Sequence, residues 1–281
     1  MSMKVLIVGA RGMLGTALVK AFSSSHQVQG VDLPGLDITD RDQCQRRAGE
    51  FSPDVIVNSA ALTAVDYCED HEEEAFRVNG EGAGNLAGAA AAIGAVLVYY
   101  STDYVFDGLK ADAYLEEDPP NPQSAYGRSK WRGEELVRDH CPDHLILRTS
   151  WLFGENGKNF VATILTAARS GQPLWVVNDQ RGSPTYTCDL AGCTLRMLDA
   201  ACRGTYHVTN GGSCSWFELA VRAVEWSGIS DVRVTPVTSA EYPRPARRPP
   251  NSVLANARLD REGFPPMRPW PLAVQEYIKK L

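Results

Sequence analysis

With 281 residues, 44% hydrophobic and 22% charged, the chain can bury its apolar surface without disulfide or metal staples and has the composition of a soluble globular protein. A net charge of -6 leaves no basic footprint for nucleic acid, so an anionic ligand needs local positive charge. The most apolar stretch, residues 86–100, is broken by Gly88 and Gly94 and too short to cross a bilayer, and a strand begins at once with no charged and apolar leader; a cytoplasmic location is expected.

In chain order, the first strand, Lys4–Val8, runs into Gly9-Ala-Arg-Gly12-Met-Leu-Gly15 and a helical stretch from Thr16 to Phe22. Strand, glycines and helix in that order form a dinucleotide fingerprint: Gly9 permits the turn, Gly12 admits a pyrophosphate to backbone N–H groups, and Gly15 lets helix pack on strand. Arg11, Met13 and Leu14 share the loop and are cofactor-binding candidates with it. A second strand, Val28–Val31, ends at Asp32, whose carboxylate suits ribose hydroxyls and repels a 2′-phosphate. Arg11 pulls the other way, since a guanidinium pairs with that phosphate, so the choice between NADPH and NADH stays open.

Asp37 and Ile38 follow, with Asp40 suited to cap the next helix. A third strand, Val55–Val57, precedes Asn58-Ser-Ala-Ala61, where Ala60 and Ala61 are small enough for a cofactor to pass or for a turn simply to pack. The fourth strand, Ala95–Tyr100, leads into Ser101-Thr-Asp103, and the fifth is Leu145–Leu147. Short, almost wholly apolar strands separated by helices predict an α/β fold, a doubly wound parallel (Rossmann) sheet covered on both faces.

That dinucleotide-binding domain is expected over residues 1–150, with a smaller α+β substrate domain over 151–281, some of whose segments return to the first. Helices are expected at Asn159–Arg169, Asp189–Ala201 and Ser215–Ser227, the last opened by Ser215 as N-cap with Glu218 three residues on. The segment Tyr242-Pro-Arg-Pro-Ala-Arg-Arg-Pro-Pro250 cannot be a helix or a central strand and reads as an ordered loop carrying Arg244, Arg247 and Arg248. Seven scattered cysteines, with no Cys-x-x-Cys pair and no histidine at ligand spacing, read as reduced and mostly buried, and no metal site is expected.

Tyr126 and Lys130 stand one helical turn apart, downstream of the strand that ends in Thr102. A ketone reductase needs a proton donor for the developing alkoxide, and a free phenol, with a pKa of about 10, is poorly matched to neutral pH. An adjacent ammonium favours the phenolate. Tyr126 is therefore read as general acid, Lys130 as its tuner and ribose anchor, and Thr102 as the hydroxyl that orients the substrate oxygen, or else as an ordinary strand-end residue.

Four longer blocks, Tyr100-Ser-Thr-Asp-Tyr-Val-Phe-Asp-Gly108, Arg148-Thr-Ser-Trp-Leu-Phe-Gly154, Asn178-Asp-Gln-Arg-Gly-Ser-Pro-Thr185 and Arg248-Pro-Pro-Asn-Ser252, resemble successive motifs of the dTDP-4-dehydrorhamnose reductase family of extended short-chain dehydrogenases. The Gly-x-x-Gly-x-x-Gly spacing is that superfamily's form. The resemblance implies NAD(P)H-dependent reduction of the 4-keto group of dTDP-4-dehydrorhamnose. It implies an adenine contact at Asp37, cofactor neighbours at Ala60 and Ala61, a substrate contact at Trp151 (otherwise a core tryptophan), Asp103 and Tyr104 flanking the sugar, and Arg248 with Asn251 near the diphosphate or nucleotide.

Related dehydratases carry Thr-Asp-Glu where this chain has Thr102-Asp-Tyr104, and without the glutamate base simple reduction is favoured over elimination. The competing expectations are another nucleotide-sugar reductase or epimerase, and a non-catalytic NADP-binding subunit like the methionine adenosyltransferase β subunit. Thr16 and Ala17 offer no carboxylate for the metal-bridged dimer contact of some relatives, so a monomer or metal-free homodimer is expected.

Overall fold

The computed structural model describes residues 2–230 and 232–281. Its central sheet has six parallel strands: β1 (Lys4–Val8), β2 (Gln27–Val31), β3 (Val55–Asn58), β4 (Val96–Thr102), β5 (His144–Thr149) and an edge strand, Gly204–His207. The spatial order is edge strand, β5, β4, β3, β1, β2. The chain thus reverses direction across the sheet between β1 and β3, and a doubly wound sheet opens its ligand crevice at the carboxyl ends of those strands.

Alternation along the strands builds two cores. Val5, Ile7, Val55, Val57, Val98 and Leu147 face α1 (Met13–Phe22) and the helix Thr187–Asp199. Leu6, Val8, Ile56, Leu97 and Ile146 face α2 (Arg41–Phe51), Gly82–Ile93 and Ala125–His140. Successive side chains point to opposite faces, and with helices on both faces neither set can be polar.

The five expected strands are present, most extended by a residue or two at their polar ends. The edge strand lies outside the sequence expectation, because Gly-Thr-Tyr-His has no apolar run and becomes a strand only by pairing with β5. Helix Phe160–Arg169 is capped by Asn159, and Trp216–Trp226 has the full Ser215/Glu218 capping box. Asp40 caps α2 by accepting from the Gln43 N–H. A separate apolar cluster joins Phe153, Val161, Leu165, Leu219, Trp270 and Tyr277 around the later helices.

Residues Tyr242–Pro250 contain no helix or strand. The loop is pinned by Ser252 donating to the Arg181 carbonyl, by the Arg181 N–H donating to the Pro250 carbonyl, and by Arg248 and Arg244 on Asp66. All seven cysteines are free, and six are buried. Among the described residues no helix is long and apolar enough to cross a membrane.

Candidate active site

A cleft of about 690 Å³ opens over the carboxyl ends of β1, β3 and β4. Its wall is formed by Gly12, Met13 and Leu14 with Ala60 and Ala61, by Thr102, Asp103, Tyr104, Tyr126 and Lys130, and by Trp151 and Trp216.

The glycine loop owes its shape to contacts a side chain would destroy. Gly9 has φ +78°, and a Cβ there would lie 2.6 Å from the Ala60 nitrogen; on Gly15 it would overlap the Gly9 carbonyl oxygen. This cradle brings the first turn of α1 and the turn after β3 together with backbone exposed between them, the surface a dinucleotide pyrophosphate requires. Asp32 accepts from the Arg11 N–H at 3.0 Å and from the Leu33 N–H at 2.9 Å, and the Arg11 guanidinium donates to the Leu33 carbonyl. The two residues left in opposition by the sequence are therefore joined at the tip of β2, beside the loop and off the cleft wall.

Asp37 accepts from the Thr39 N–H and hydroxyl, closing its own turn, and Ile38 is buried against Gly82 in the core under the sheet.

Ser124 caps the helix Ala125–His140, placing Tyr126 in its first turn with its ring edge-on to Tyr104, centroids 5.6 Å apart. Tyr126 and Thr102 line the same cleft, and the Thr102 hydroxyl works to lower the phenol's pKa. The net shift is nevertheless upward, with burial the largest cause and Asp103 and Tyr104 adding to it. This differs from the expectation that Lys130 would bring the phenol down. The Lys130 ammonium is aimed away, donating to the Tyr100 carbonyl at 2.6 Å and lying 4.1 Å over the Tyr99 ring. Burial lowers its own pKa to about 7.

Thr102 donates to the Asp103 carboxylate at 3.0 Å and accepts from the Tyr104 N–H, so it also caps the short turn Asp103–Val105. Asp103 is buried, which pushes its carboxyl up to about 6 against the pull of Ser252 and Thr102.

Two expected substrate contacts sit elsewhere. Asn251 donates to the Lys110 and Asp112 carbonyls at 2.8 and 3.0 Å and accepts from the Val253 N–H, so its amide is a clamp between loops and does not face the cleft. Arg248 stands one layer behind the wall, held by Asp66 and the Ala246 carbonyl and touching Tyr104.

Trp151 adopts φ +46°, and its indole lies flat on Trp216, centroids 3.4 Å apart, with Gly182 packed too closely to admit a Cβ. Trp216 was not expected from sequence. Its only signal is its place directly after the Ser215 cap, at the start of a helix that packs among Trp151 and Phe160. Lys158 and Thr63 also line the cleft without a sequence signal.

Residues 3–281 match the family model described as RmlD substrate binding domain. A spore coat polysaccharide biosynthesis protein of Bacillus subtilis is 41% identical over 278 residues, spanning 99% of this chain and 97% of that protein. A crystal structure of a dTDP-4-dehydrorhamnose reductase from Clostridium acetobutylicum superposes with a TM-score of 0.96 at 43% identity, covering 99% of each chain. That of dTDP-4-dehydrorhamnose reductase from Bacillus anthracis, in complex with NADP, gives 0.97 at 38% identity over 100% of each. The chain belongs to the dTDP-4-dehydrorhamnose reductase family.

Proposed function

We propose that this protein reduces the 4-keto group of dTDP-4-dehydro-6-deoxy-L-mannose to give dTDP-L-rhamnose, using NADPH, or NADH in its place. The observation that carries the reading is the gathering of Thr102, Tyr126 and Lys130 in one cleft with the glycine loop and the paired indoles. The bound nicotinamide would supply the hydride, with Gly9, Gly12, Gly15, Ala60 and Ala61 forming its dinucleotide's cradle.

The residues of this chain then handle the proton and the substrate. Burial keeps Tyr126 protonated at neutral pH, so it holds a proton ready for the alkoxide as charge develops on oxygen. The Thr102 hydroxyl, which donates to Asp103 in the unliganded cleft, would turn its one proton to the ketone oxygen and so hold it at the phenol. Lys130, poised near neutrality in the same cleft, would supply positive charge for the phenolate left after transfer. Trp151, backed by Trp216, offers an aromatic surface to the sugar or base. In this reading residues 1–150 bind the dinucleotide and residues 151–281 mainly the nucleotide sugar, in a cytoplasmic enzyme acting as a monomer or homodimer. The seven unpaired cysteines suit a reducing compartment.

The test is loss of nicotinamide absorbance on adding dTDP-4-keto-6-deoxyglucose together with a 3,5-epimerase, run first with NADPH and then with NADH. Net oxidation of either dinucleotide supports reduction. Its absence with both, while the protein interconverts the sugar when the added epimerase is left out, would identify an epimerase.

A further inference from the structure

The strand end that carries Thr102 and the helix that carries Tyr126 and Lys130 are joined by a brace. Ser101, buried one residue before Thr102, donates to Glu134 Oε1 at 2.6 Å. Glu134 lies one helical turn beyond Lys130 and is fully buried. Arg148 of β5 grips it from below, Nε on Oε1 at 2.8 Å and Nη2 on Oε2 at 2.8 Å, and Arg138 adds a third contact. Lys130 makes the second tie, to the Tyr100 carbonyl. Thus two consecutive residues of β4 are tied to the same helix, Tyr100 through its carbonyl and Ser101 through its hydroxyl, immediately before Thr102, which lines the cleft with Tyr126.

A buried carboxylate with a two-pronged arginine is costly to desolvate, and hydrophobic replacements of similar volume often match or exceed its stability. Its use is geometric: a bidentate pair has one orientation, so the strand end can take one height against the helix. We propose that Glu134, clamped by Arg148 and hydrogen-bonded to Ser101, is a positioning residue that sets the distance between Thr102 and Tyr126. The inference rests on the reductase reading.

A second consequence follows for Lys130. Its surroundings are the Tyr99 ring and Tyr100 carbonyl from β4, with Tyr126 and Glu134 from its own helix; among the described residues Glu134 is the charged group that acts to keep it protonated. Removing that charge moves the Lys130 titration to lower pH.

The experiment compares wild type, Ser101→Ala, Glu134→Gln, Tyr126→Phe and the double variant Ser101→Ala/Tyr126→Phe in steady-state reduction of the nucleotide sugar. Ser101→Ala removes one hydrogen bond and leaves the ion pair, so it carries the test if Glu134→Gln does not fold. Misplacement by a fraction of an ångström predicts a fall in kcat of about tenfold or more, with KM for the sugar nearly unchanged. In the Tyr126→Phe background the same substitution should have no further effect, because Ser101 acts through the phenol. Folded Glu134→Gln should shift the alkaline limb of kcat/KM to lower pH. Wild-type kcat in Ser101→Ala, or an equal loss in both backgrounds, overturns the inference. Failure of Tyr126→Phe itself to lower turnover overturns the reductase reading instead.

Discussion

At the scale of single residues, the chemistry depends on two pKa values moved in opposite directions by one cause. Burial raises the Tyr126 phenol and lowers the Lys130 ammonium to about 7, because each shift favours the uncharged form. A reduction needs the first group to hold its proton and the second to be able to meet the phenolate. The dependence of kcat/KM for the dinucleotide on pH, which reports groups of the free enzyme, should therefore fall on the alkaline side with an apparent pKa near 7. Lys130→Met should abolish that limb and lower the plateau about a hundredfold, in the range general acid–base partners contribute. An unchanged limb in this variant would place the titration on another group.

Much of this was legible in the sequence, and what was not has a common reason. The glycine loop, Thr102 and the Tyr126–Lys130 pair are local patterns, and the cleft gathers Met13, Ala60 and Trp151 with them. The direction of the Lys130 ammonium was not legible, since a carbonyl 30 residues away decides it. Nor was the engagement of Asn251 with the loop at residues 110–112, or of Trp216 with Trp151; each is a contact between distant segments that no periodicity announces.

At the scale of elements, alternation along the five apolar strands and the Ser215/Glu218 box specify structure from within, whereas the edge strand Gly204–His207 is specified from outside by β5. That strand also carries a pH liability. His207 is buried, its Nδ1 between the Tyr114 and Ala255 carbonyls, and burial together with Arg148 lowers its pKa to about 3. The folded state therefore refuses a proton that the unfolded chain accepts below about 6.5, so stability is full above that pH and is lost as pH falls toward 3.

Glu134, held down to about 2 against its burial by Arg148, adds a loss of the same sign below about 4.5. Asp103, raised to about 6, acts oppositely and gains stability as pH falls through that value. The His207 contribution is thus isolated as a difference: the stability of His207→Gln relative to wild type should rise steadily as pH falls from about 6.5 to 4.5, whatever the slope of either curve alone. Parallel curves would show that the imidazole does not titrate on unfolding.

For the whole molecule, the proline-rich loop from the end of the chain reaches back to the first half. Arg248 and Arg244 meet Asp66, and Arg248 in turn supports Tyr104 at the cleft wall. Because the pair is partly exposed, Asp66→Asn should cost only about 1 kcal/mol, or roughly 2 °C in the unfolding midpoint. Its larger effect should be on KM for the nucleotide sugar, raised a few-fold as Tyr104 loses its support, with dinucleotide binding unchanged. A variant with wild-type KM would show that the loop is independent of the cleft.

Reduction of a ketone in the cleft by direct hydride transfer is tested most directly by an isotope. With NADPH carrying deuterium at the transferable C4 position of the nicotinamide and dTDP-4-dehydrorhamnose as acceptor, the product dTDP-sugar should gain one deuterium, at C4 of the sugar, and Tyr126→Phe should form it at least a hundredfold more slowly. Product formed without the label, or formed at the wild-type rate by Tyr126→Phe, would contradict the account.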